Sequence, residues 1–82
     1  MIQLRIDRYP NIGAFTTPSR RSEFFEDGEE QKALLIFEEA CEGFKKNGKQ
    51  GYGRIALILR KVEKKGHGHF KELERMRTEV II

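Results

Sequence analysis

The chain has 82 residues, 38% of them hydrophobic and 35% charged, with a formal net charge of +3. That is the length of one domain with a small core, and no apolar run approaches the roughly 20 residues of a membrane span. A single cysteine, Cys41, excludes an internal disulfide, and a small domain without disulfides points to a reducing cytoplasm.

In chain order, Ile2, Leu4 and Ile6 alternate with Gln3, Arg5 and Asp7, the pattern of a half-buried strand, which Tyr9-Pro10-Asn11-Ile12-Gly13 is expected to break. Residues 10–19 hold both prolines and several small polar residues, so a long loop is expected there. Arg20 to Phe25 reads as a second strand whose apolar weight is Phe24 and Phe25. Asp27, with Glu30 three residues on, has the form of a capping box opening a helix. Ala33, Phe37, Ala40, Cys41 and Phe44 recur at helical spacing as its buried stripe, flanked by Leu34 and Ile36. Lys45 and Lys46 suit its negative C-terminal end, and Asn47-Gly48 is a stop signal.

After a GKQGYG connector, Arg54 to Val62 contains the unbroken run Ile55-Ala56-Leu57-Ile58-Leu59, which suits a central strand. A glycine-rich turn at 64–69 follows. The segment from Phe70 fits a strand in a hairpin with Arg54–Val62 better than a second helix. The expected fold is α+β: a small antiparallel sheet with one long helix on a face, in the order β-(β)-α-β-β, as one domain over 1–82. One helix covers one face of a sheet. Ala56 and Ile58, facing away from Ile55, Leu57 and Leu59, are therefore expected to be partly bare, and the patch they form predicts a homodimer.

Charge is unevenly spread along the chain. Residues 27–44 carry six acidic groups and one basic, whereas residues 45–77 carry eleven basic and three acidic. A two-poled surface is expected. The basic block is Lys45, Lys46, Lys49, Arg54, Arg60, Lys61, Lys64, Lys65, Lys71, Arg75 and Arg77, a candidate partner-binding surface with Tyr52 and Phe70 interspersed. Its counterpart is the helix face of Glu38, Glu39 and Glu42, an alternative docking surface for a basic partner. Catalytic constellations are missing from the sequence. Ser19 and Ser22 lie in no nucleophile motif, and Cys41 falls on an apolar helix stripe where a thiol is inert. His67 and His69 sit in a Gly-His-Gly-His turn that reads as a flexible loop rather than a metal pair. No catalytic residue, metal or cofactor is expected.

Phe24-Phe25-Glu26-Asp27, Glu30, Ala33, Phe37 and the Arg54–Val62 strand give a layout that resembles the small accessory proteins of phages and mobile elements, among them several single-helix, small-sheet anti-CRISPR families. The resemblance implies a non-enzymatic inhibitor, acting in a host cytoplasm, that binds a host protein or nucleoprotein complex. The second reading, from charge alone, is a nucleic-acid-binding module acting through residues 45–77.

Overall fold

The computed structural model describes residues 1–10, 17–49 and 51–82. Residues 11–16 of the expected loop and Gln50 of the expected connector lie outside the described residues. The elements run β1 (Ile2–Pro10), β2 (Ser19–Phe25), α1 (Glu30–Asn47), β3 (Tyr52–Lys64) and β4 (Phe70–Ile81). The four strands form one antiparallel sheet in the order β2-β1-β3-β4. This is the expected α+β arrangement, and the segment after the histidine turn is a strand. The turn itself places Gly66 and Gly68 at φ 88° and 77°, a region that glycine enters without strain.

Strand pairing divides the side chains cleanly, because residues opposite each other share a face. Toward α1 stand the rows Phe25–Ile2–Lys61–Glu74, Glu23–Leu4–Leu59–Arg77, Arg21–Ile6–Leu57–Glu79 and Ser19–Arg8–Ile55–Ile81. The apolar members concentrate on the central strands, and α1 lies over them. Phe37, Ala33 and Cys41 close the core against Ile2, Leu4, Phe25, Ile55, Leu57 and Leu59. Ala40 and Phe44 of the expected stripe are half-buried at its edge, with Leu34 and Ile36.

The first strand ends at Pro10, within the break expected from Tyr9 to Gly13, and its pairing register with β3 shifts at Tyr9/Pro10, a position that tolerates a residue without an N–H. Two expectations need correction. Asp27 does not cap the helix, which starts at Glu30 with Glu29 in the cap position and no side-chain cap bond. Asp27 instead accepts a hydrogen bond from the Met1 amine at 2.6 Å, and Glu29 and Glu30 reach back to the N–H groups of Glu26 and Gly28. Nor are Ala56 and Ile58 bare. They are 9% and 7% exposed, because Asp7, Arg5, Thr78 and Val80 stand beside them in the same rows. The apolar patch from which a homodimer was expected is therefore absent.

Candidate functional site

The face of the sheet turned away from α1 is polar and arginine-rich. Its rows are Phe24–Gln3–Arg60–Arg75, Ser22–Arg5–Ile58–Thr78, Arg20–Asp7–Ala56–Val80 and Tyr9–Arg54. A polar set on one face is what the alternation of β1 dictates, since Gln3, Arg5 and Asp7 oppose Ile2, Leu4 and Ile6. What pairing adds is the gathering of arginines from all four strands.

Two carboxylates organise these arginines. Asp7, 1% exposed, accepts from Arg20 Nε at 2.9 Å and stands 3.3 Å from Arg5 Nε. Glu72 accepts from Arg75 Nη2 at 2.8 Å and Arg60 Nη1 at 3.5 Å. Arg60 Nε also donates to Gln3 Oε1 at 2.7 Å, and Gln3 Nε2 donates to Ser22 Oγ at 3.1 Å. Each cluster sets two guanidiniums against one carboxylate, so each keeps one uncompensated positive charge. The pairing also fixes the planar groups in orientation, which lowers the entropic cost of binding an anion.

The electrostatic consequence is visible at Arg5. Burial lowers its pKa from the ordinary arginine value; Asp7 opposes the shift, and Arg20, Arg60 and Arg75 add to it. Arginine nonetheless stays protonated. Its Nε is buried without a well-aligned hydrogen bond, since the 3.3 Å approach to Asp7 is an ion pair only. Arg20 shifts the other way, raised chiefly by its bond to Asp7. Glu72 is held below the usual carboxylate range, first by Arg75 and then also by Arg60.

The β3–β4 hairpin closes one end of this face. Register shifts beside Leu59/Arg60 and Lys61/Val62 leave Met76 and Leu73 as extra residues in β4, and such bulges bend and twist a strand pair. Phe70, at the start of β4, thereby meets Phe24 on the opposite edge strand, with ring centroids 5.1 Å apart. A cleft of about 370 Å³ lies beneath, lined by Gln3, Arg5, Arg20, Ser22, Arg60, Gly68, His69 and Phe70. At the far end of the face, Arg54 stacks over the Tyr9 ring at 4.1 Å.

The expected basic block does not form one surface. Arg54, Arg60 and Arg75 lie on the open face, whereas Lys61 and Arg77 face the helix side. Lys45 pairs with Glu79 at 2.6 Å, Arg77 with Glu38 at 3.6 Å, Lys61 with Glu74 at 3.9 Å and Lys65 with Glu63 at 3.4 Å. Lys49 donates to the Gly53 carbonyl, and Lys46, Lys64 and Lys71 are exposed. The two expected poles also merge. Glu38, Glu39 and Glu42 line a groove of about 380 Å³ with Glu79, and Lys45 and Arg77 line it too. Helix packing thus brings the acidic block onto part of the basic one.

Arg5, Arg20, Asp7, Gln3 and Phe24 belong to the site although sequence reasoning did not select them. The available signal was the polar half of β1, whose register against Arg60 only the pairing reveals. Among the described residues no group of three or more His, Cys, Asp or Glu is placed to hold a metal ion, and no helix is long and apolar enough to cross a membrane. Comparison with protein-family models, curated proteins and solved structures finds no match to the chain.

Proposed function

We propose that this protein is a non-enzymatic binding module whose open sheet face receives a single strand of nucleic acid. The observation that carries the reading is the pair of arginine–carboxylate–arginine clusters, which hold surplus positive charge in fixed orientation on one face. Guanidiniums so held suit phosphate oxygens. From the Gln3 row to the Tyr9 row is about 20 Å at the strand rise, room for on the order of four nucleotides. Aromatic groups stand at both ends of that path, Phe24 with Phe70 and Tyr9 with Arg54, which are platforms for bases. A duplex fits this face poorly, because the curled hairpin narrows it. A nucleoprotein complex in a host cell, the partner implied by the resemblance to phage accessory proteins, would present such a strand.

The test exploits the two-to-one clusters. In the double variant Arg20→Ala with Arg75→Ala, Asp7 keeps Arg5 and Glu72 keeps Arg60, so both surplus charges vanish and no acid is orphaned. Binding of a short oligothymidine is expected to weaken by about tenfold or more. The control, Lys45→Ala with Arg77→Ala, removes the same charge from the helix side and should change affinity by no more than about threefold. Equal losses in the two variants would refute a site on the open face. Failure of the wild-type protein to bind the oligonucleotide at low salt would refute the nucleic-acid reading and turn the same arginines toward an acidic protein surface.

A further inference from the structure

Among the described residues β2 is an edge strand, hydrogen-bonded to β1 on one side only. Edges of this kind template pairing with another strand unless something blocks them. Six of its seven residues are exposed, and none is a proline. Its sequence, Ser19-Arg20-Arg21-Ser22-Glu23-Phe24-Phe25, has Ser22 at its midpoint.

From this edge we infer that two copies of the chain join through β2, antiparallel and centred on Ser22, to make a continuous eight-stranded sheet. The register follows from symmetry. A two-fold axis perpendicular to the sheet keeps each residue on its own face, so paired residues must lie an even number of positions apart. The axis therefore passes beside a single residue. Centring on Arg20 or Arg21 sets arginine against arginine, and centring on Glu23 sets glutamate against glutamate. Centring on Phe24 forfeits most of the overlap. Only Ser22 overlaps the whole strand without a like-charge pair. In that register Arg21 of each copy opposes Glu23 of the other, twice over, on the helix side. Arg20 opposes Phe24, also twice, on the open side. Among the described residues Arg21 and Glu23 make no ion pair within the protomer, whereas the neighbouring Arg20 is held by Asp7.

The inference is independent of the proposed function, since it concerns the backbone edge and is tested without nucleic acid. It does have a consequence for that function: both helices fall on one side, and the two arginine faces become one surface.

Sedimentation equilibrium of the wild-type chain and three charge variants tests it. The wild type is expected at twice the 9.6 kDa chain mass. Arg21→Glu alone sets glutamate against glutamate in both pairs, and Glu23→Arg alone sets arginine against arginine; each should weaken the dimer by about tenfold or more. Both changes together restore opposite charges and should return the dissociation constant to within about threefold of wild type. The two singles probe the same register separately, so one that fails to fold leaves the other to decide. A wild type that stays monomeric at millimolar concentration overturns the inference. So does a dimer indifferent to the single changes, or a double variant no better than the singles.

Discussion

Replacing Asp7 by asparagine removes one negative charge from the most buried point of the arginine face and keeps the shape of the side chain. Asp7 is 1% exposed and serves Arg20 at 2.9 Å and Arg5 at 3.3 Å. Removing one partner of a buried ion pair typically costs about 3–5 kcal/mol. The cost here is smaller, because the Arg20 side chain is 54% exposed and regains water, whereas Arg5 at 19% does so only in part. The asparagine oxygen also remains an acceptor. A loss of about 2 kcal/mol is expected, close to 10 °C in melting temperature for a domain of this size. Urea unfolding monitored by circular dichroism measures it. Affinity for an oligonucleotide should move the opposite way, rising by about threefold as the face gains a positive charge. Saturating oligonucleotide should then add about 2–3 kcal/mol of stability by mass action, enough to offset the loss. An Asp7→Asn variant within about 0.5 kcal/mol of wild type would show that Asp7 does not hold the arginines, and the preorganised site would fail with it.

Phe37→Ala empties the centre of the core, where Phe37 is 1% exposed, and should cost about 3–5 kcal/mol in the same urea assay; a cost under about 1 kcal/mol would mean that α1 does not pack as described. Cys41 is 7% exposed and burial raises its thiol pKa, so alkylation at neutral pH should be slow in the native protein and become fast on adding urea. Glu72, held low by Arg75, and Glu79, held low by Lys45, have folded pKa values below their unfolded ones. The stability they contribute is present above the ordinary carboxylate range and is lost as pH falls through the depressed values. Melting temperature should therefore be flat near neutrality and decline below about pH 4.5, a decline that Glu79→Gln should reduce.

Three of the elements were legible from strong local signals, whereas β2 rested on Phe24 and Phe25 alone and β4 carried a pattern shared between strand and helix. Strict alternation marks β1, the spacing of Ala33, Phe37 and Cys41 marks α1, and the run from Ile55 to Leu59 marks β3. The exact helix start was not legible: Asp27 looked like the cap, and the Met1 amine claims it instead. The site was legible only in part. Arg60 and Arg75 lie in the conspicuous basic block, but Arg5 and Arg20 do not. They meet Arg60 because Gln3 pairs with Arg60 and Asp7 with Arg20, contacts set by register rather than by local sequence. The same nonlocality spread the basic block over two faces. Ala56 and Ile58 looked bare because alternation tells which face a residue occupies but not how far its neighbours' long side chains reach across it.

The most direct test of the central claim is the salt dependence of oligothymidine binding, followed by fluorescence anisotropy for the wild type and for Arg20→Ala with Arg75→Ala. Each phosphate contact on a single strand adds about 0.7 to the slope of log affinity against log salt. The account predicts micromolar binding at low salt that weakens steeply as salt rises, with a slope shallower by about 1.4 in the double variant. Identical slopes for the two proteins, or no binding by the wild type, would contradict it.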